Sequence, residues 1–247
     1  MRRGRQKWTL VLRPAARKKS SRMPFSTLDL VALAWFILAW AGYAAHVEYL
    51  PKSQKSLNEL MNDYRLVWMR RMLDRDARMV DMQVMATLVN GTAFFATTAL
   101  FAIGGSLTVL RSPDEMLNVL ATLPFGTPTT RLAWEIKAVG LAVIFVYAFF
   151  KFAWSYRLFN YVAILLGAMP LERDKETPEA EVHVQRTARL FKAAGRHFNH
   201  GQRAIFFALG YLGWFVSPYV LMATTGAVVV VMWWRQFASD ARRAMDI

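Results

Sequence analysis

The chain has 247 residues, 55% of them hydrophobic and 19% charged, which is more apolar and less charged than a soluble globular domain. With no cysteine it has no disulfide, thiolate metal site, iron–sulfur cluster or cysteine nucleophile. Its formal net charge is +14, from 31 Lys and Arg against 17 Asp and Glu, and its apolar residues fall in long uncharged runs, which exclude a disordered or collagen-like chain and indicate an integral membrane protein.

Residues 1–22 form a basic N-terminal extension with nine Lys or Arg and no acidic residue. Met23 opens a segment that reads as a complete membrane-protein start. Residues 1–22 are therefore expected either to be upstream of the working protein or to bind lipid headgroups, and residues 23–247 to form a single helical membrane domain. A bilayer core of about 30 Å takes about 20 helical residues. The first candidate span, about 28–49, meets that length between Asp29 and Glu48. It is longer and bulkier than the apolar run of a cleaved signal peptide and reads as a signal anchor.

A cytoplasmic helix is expected over 56–83, running unbroken into the second span because no Pro or Gly interrupts it. It has two apolar seams, one through Leu57, Tyr64 and Trp68 and another through Leu66, Met69 and Leu73. Two seams mean two packed sides, and an intramolecular helical hairpin satisfies them more simply than a partner does. The second span, 84–110, is uncharged, with Gly91, Gly104 and Gly105 offering close helix contact. The third, 132–152, begins near an Arg131–Glu135 pair at i,i+4 and continues without proline to Met169. Lys151, Trp154, Arg157, Asn160 and Tyr161 then lie beyond the membrane edge, with Lys151 snorkelling and Trp154 stacking on Arg157.

A second cytoplasmic helix, 178–203, starts at Thr177-Pro178-Glu179, with a threonine cap, proline in the first turn and acids near the positive helix end. Arg189, Lys192, Arg196, His200 and Arg203 form a basic stripe opposite Val184, Phe191, Ala194 and Phe198. The last uncharged run, 204–234, is too long for one untilted span, and Ser217-Pro218 in its middle is a helix-start signal. It reads either as one kinked helix or, preferably, as a tight hairpin whose arms extend beyond the run. The fold class is thus an all-α, polytopic membrane helical bundle with four spanning regions, the last broken at proline, and long cytoplasmic extensions.

Cytoplasmic loops hold the excess of Lys and Arg. The 111–131 loop has only Arg111 and Arg131, against seven basic residues in 49–83 and nine in 151–203. Placing the poor loop outside puts both rich loops in the cytoplasm and the N-terminus outside, which conflicts with the nine basic residues ahead of the first span unless these stand apart from the working protein.

The segments Arg70-Arg71-Met72-Leu73-Asp74-Arg75-Asp76 with Val80-Asp81-Met82-Gln83, Ile144-Phe145-Val146-Tyr147-Ala148-Phe149-Phe150-Lys151-Phe152, Arg157 with Asn160-Tyr161, and Arg196-His197-Phe198-Asn199 leading to Gly201 and Arg203-Ala204 resemble domain-of-unknown-function family 599 over about residues 25–238. The resemblance implies a multi-span helical protein of the bacterial inner membrane and supplies no reaction. Members begin close to the first span, so residues 1–22 are a departure. Leu158 replaces a glutamine of the pattern, and no polar role carries over to it.

No catalytic motif is present: there is no GxSxG, phosphate loop or HExxH. His197 and His200 have ligand-like spacing but no third ligand, so no metal or cofactor is expected. Lys151, Arg157 and Asn160, with Arg189, Lys192, Arg196 and Arg203, are the candidate contacts for an anionic lipid headgroup or a partner. A nucleic-acid partner is not expected, since no binding fold accompanies the charge. The resulting expectation is a non-enzymatic accessory, assembly or scaffold subunit with a protein partner or homo-oligomeric state; the alternative is a small oligomeric transporter or channel.

Overall fold

The structure is a computed structural model that describes residues 25–49, 55–111 and 130–245. The basic extension 1–22 and most of the 111–131 loop lie outside the described residues. Among the described residues all regular structure is helical. Helix α1 is Thr27–Glu48, α2 Leu57–Arg71, α3 Met79–Arg111, α4 Arg131–Gly167, α5 Pro178–Tyr211, α6 Gly213–Val216, α7 Pro218–Phe237 and α8 Asp240–Arg243.

The helix starts follow from local chemistry. Ser26 and Asp29 form a capping box on α1, as Ser56 and Glu59 do on α2, each pair satisfying two backbone N–H groups that a helix start leaves without partners. Thr130, Thr177 and Ser217 cap α4, α5 and α7, the last two followed by proline in the first turn.

Four helical stretches, Thr27–Glu48, Met79–Arg111, Arg131–Gly167 and Pro218–Arg243, are long and apolar enough to cross a membrane. Helix α5 has a polar first half, but it runs antiparallel to α4 along nearly all its length. His183 Nε2 meets Leu165 O at 2.9 Å, Ser155 Oγ donates to Ala194 O at 2.8 Å, and Lys137 Nζ donates to Trp214 O at 2.8 Å. The apolar end of α5, from Ala204 onward, therefore lies beside the spanning part of α4, and α7 folds back on it. Thr224 Oγ1 donates to Gly210 O at 2.7 Å, and a Cβ on Gly213 would lie 3.0 Å from the Val220 backbone. The uncharged run 204–234 is thus a hairpin with its apex at Ser217, not one kinked helix.

Two expectations are corrected. The 56–83 helix is broken: α2 ends in a 3-10 turn at Met72–Asp74, and α3 starts only at Met79. Asp81, 2% exposed, accepts from the Trp68 indole at 2.5 Å and from Arg75 at 2.7 Å, while Arg78 reaches across to the carbonyls of Met169 and Pro170 in the turn after α4. Polar tethers on both sides of the corner outweigh the helical propensity of the linker. The close-packing glycines are also not those of α3: Gly91, Gly104 and Gly105 face open space, whereas Gly140, Gly201 and Gly213 each have a neighbour where a Cβ would stand.

Two cores result. One, between α1, α4, α5 and α7, centres on Phe36, Phe152, Phe207, Tyr211 and Trp214. The other, where α2 lies on the prolonged ends of α4 and α5, contains Met69, Met72, Phe159, Val162 and Phe191. The seam through Leu66, Met69 and Leu73 enters this second core, while Met61 and Tyr64 on the other side are exposed. The molecule therefore has a basic end, holding α2, the turn after α4 and α8, and an opposite end holding the start of α1 and the α5–α7 turn.

Candidate functional site

The basic stripe of α5 repeats at steps of three and four residues, which keeps it on one face of the helix. At the basic end that face meets the first turn of α2 and the last turn of α1. Between them lies a cavity of about 270 Å³ lined by Arg189, Lys192, Arg196, His200 and Arg203 of α5, by Ser56, Asn58, Glu59 and Asn62, and by Glu48.

Glu48 organises the roof of this cavity. Its Oε1 accepts from Arg203 Nη1 at 2.9 Å and meets His200 Nε2 at 2.7 Å. The Arg203 guanidinium, with its side chain 7% exposed, also lies 5.4 Å over the Tyr43 ring. Removed from water, such a cation is tolerated because a carboxylate and an aromatic face replace its hydration. Burial pushes the His200 imidazole below its ordinary value, and the pull of Glu48 the other way does not overcome it. The neutral ring then donates from Nε2 and leaves Nδ1 without a hydrogen-bond partner; His197 Nδ1 is likewise buried and without one. Burial lowers the pKa of Arg65, whose guanidinium lies 5.0 Å over the Phe191 ring, yet leaves it charged at neutral pH.

Arg203 is neutralised by Glu48, whereas Arg189, Lys192 and Arg196 have no ion pair among the described residues. Three cations therefore face a cavity whose other wall carries Ser56, Asn58 and Asn62 with the carboxylates of Glu48 and Glu59, the first held by Arg203 and His200 and the second by the Ser56 N–H and hydroxyl. The arrangement has the donors an anion needs. No group of three or more His, Asp or Glu that could hold a metal occurs among the described residues.

The structure gathers Arg189, Lys192, Arg196 and Arg203, and does not gather the rest of the sequence-derived set. Lys151 Nζ lies 5.2 Å over the Tyr147 ring and near enough to His197 and His200 to depress both. Arg157 lies outside the cavity, with Nε 2.6 Å from Tyr161 Oη. It is two residues beyond Ser155, which faces α5, and so about 200° round the helix. Asn160, about 140° from Ser155, also lies outside. The expected Trp154–Arg157 stack is replaced by Arg157 over Tyr161 at 5.5 Å and Trp154 against His197 at 6.4 Å.

Sequence reasoning marked Glu48 as the edge of the first span and missed its place in the cavity, along with the first turn of α2. A signal for Glu48 existed: one carboxylate at a span end, and His200 and Arg203 on one face at another span end. Lys137, two residues from Glu135, was legible only as pointing away from it. It is 2% exposed, bonded to Trp214 O, and Trp214 in turn donates its indole N–H to Asp29 at 2.8 Å. The expected Arg131–Glu135 pair is present at 2.9 Å.

The family described as "Protein of unknown function, DUF599" matches residues 31–241, which include most of α1, all of α2 to α7 and the whole cavity. The chain belongs to this family. Neither the curated proteins nor the solved structures contain a match. For a DUF599 chain the geometry of the cavity is therefore the material from which function is argued.

Proposed function

We propose that this DUF599 protein is a non-enzymatic, multi-pass protein of the bacterial inner membrane. It acts as an accessory, assembly or scaffold subunit and holds an anionic group of a lipid headgroup or of an acidic protein partner in the cavity at its basic end. The observation that carries this reading is the set Arg189, Lys192 and Arg196, three cations around about 270 Å³ of space that have no ion pair among the described residues. The second core supports it, because a rigid platform of α2, α4 and α5 fixes the basic face beside the membrane. The transporter alternative needs polar side chains free to line a path. In α3 the hydroxyls of Thr87, Thr92, Thr98 and Thr108 instead donate to carbonyls four residues back on their own helix.

The test is purification in mild detergent with identification of co-migrating proteins and lipids. A stoichiometric partner or anionic lipid is expected, and Arg189→Ala with Arg196→Ala should weaken its retention about thirty-fold, at about 1 kcal/mol per basic side chain. A lone homo-oligomer that conducts ions in liposomes would overturn the reading.

A further inference from the structure

Helix α1 is fastened to α7, through Trp35 to Met222 O at 3.3 Å and Tyr43 to Met232 O at 3.1 Å, and its two ends are pinned to α6 through Asp29 and to α5 through Glu48. None of these tethers draws it onto α4, which it meets through the Trp40 ring edge-on to Tyr147 at 5.8 Å. Between α1 and α4 a lateral groove of about 660 Å³ remains, floored by Tyr211 of α5 and Trp214 of α6. Its lining is almost wholly apolar. Gly140 keeps it deep: a Cβ there would lie 2.1 Å from the Tyr211 hydroxyl, so the ring rests on the bare backbone of α4.

The groove follows α1 from Leu30 to Ala44, fourteen steps of 1.5 Å or about 21 Å, which exceeds the roughly 15 Å half-thickness of a bilayer core. Its volume over that length gives a mean section of about 30 Å². That section encloses a single hydrocarbon chain, whereas a helix about 10 Å across, with a section of about 80 Å², would rest on the rim and leave the floor uncovered. The two ends differ in charge. At one, Lys137 is already bonded to Trp214 O and Asp29 to the Trp214 indole. At the other, Tyr147 lines the groove with the ammonium of Lys151 above its ring, and no carboxylate is paired with that ammonium among the described residues.

We propose that the groove between α1 and α4 holds one acyl chain of an anionic phospholipid, with the phosphate at the Lys151 end. The apolar walls take the chain from neighbouring lipid without exposing it to water, and the single uncompensated cation sets headgroup preference and direction. This lipid lies in the groove and not in the cavity between α2 and α5, so the two are tested separately.

The experiment is native mass spectrometry of the full chain released from mild detergent, titrated with phosphatidylglycerol and with phosphatidylcholine of the same chain length. One tightly held phosphatidylglycerol per chain is expected. Ala41→Trp, or Ile37→Trp should the first variant melt early, fills the groove and should remove one bound lipid of either headgroup class, leaving any lipid that depends on Arg189 and Arg196. Lys151→Gln should lower phosphatidylglycerol retention about five-fold and leave phosphatidylcholine unchanged. Equal lipid retention by the filled variants and the parent would overturn the proposal. So would a dimer that the filled variants dissociate, since a second copy would then be the occupant. The partner-retention measurement on Arg189 and Arg196 reads the cavity alone, and failure of one proposal leaves the other standing.

Discussion

His200 shows how one side chain ties the cavity to stability. Its ring is buried and its pKa lies below the ordinary 6.5, first because burial penalises the charged form and despite the attraction of Glu48. The unfolded chain then binds a proton that the folded chain does not, so this contribution is fully present above about pH 6.5 and is lost as pH falls toward the lowered folded value. Thermal melts in detergent between pH 8 and 5 should show stability declining below about 6.5, and His200→Gln should flatten that decline. Glu48, Arg203 and Lys151 face this ring and act on its charge, with His197 beside it. Gly201, its neighbour, carries a second prediction. A Cβ there would lie 2.7 Å from Phe152, a fully buried ring stacked on Phe95 at 5.4 Å and edge-on to Phe198 at 5.6 Å. Gly201→Ala should therefore destabilise by about 1–3 kcal/mol, while Gly105→Ala, in open space on α3, should stabilise by about 0.5–1 kcal/mol. Comparison of the two melts checks both, and equal shifts would refute the packing argument. At this scale the basic stripe was legible, since periodicity alone puts Arg189 and Arg196 on one face. The partner of Arg203 was not, because no local pattern connects Glu48 to a residue 155 positions away.

Among the elements, the corner between α2 and α3 separates what propensity determines from what tertiary contact imposes. Residues 72–78 contain no Pro or Gly and read as helix. The chain turns there because Asp81 and Arg78 find distant partners: the indole of Trp68 on one side and the carbonyls of Met169 and Pro170, just past the end of α4, on the other. Arg78 thereby fastens the corner to the turn that follows α4. Arg78→Ala should lower stability by about 1.5–3 kcal/mol, the usual worth of hydrogen bonds from a charged donor, and should loosen α2 from α5. Hydrogen exchange over residues 66–82 checks this; unchanged protection there would show that the second core alone sets the corner. The starts of α5 and α7, by contrast, were legible, because a threonine or serine cap followed by proline acts within one turn.

For the whole molecule, orientation follows from where charge collects. The ion pairs and hydrogen bonds divide it into two ends: Glu48, Arg203, Arg78 and Arg242 at one, Asp29, Lys137 and Trp214 at the other. Of the 31 basic residues, nine belong to residues 1–22, and the 22 that follow exceed the 17 acids by only five. Most of those 22 lie at the Glu48 end, on α2, on the polar half of α5 and after α7. The loop-charge rule predicts that this end faces the cytoplasm, and the nine leading residues, joined to α1 at its Asp29 end, oppose that choice. Charge near several span ends outweighs a single segment unless that segment dominates insertion. The absence of native cysteine makes the outcome directly measurable, since any introduced thiol is unique. Glu179→Cys and Asp240→Cys, both on exposed first turns, should resist a membrane-impermeant maleimide in intact cells and react after lysis, whereas Arg131→Cys should react in intact cells. Should all three patterns invert, the nine leading residues govern insertion, and the basic cavity faces outward, where cytoplasmic partners and inner-leaflet lipids cannot reach it. The same three thiols therefore decide which compartment must supply the anion that Arg189, Lys192 and Arg196 await.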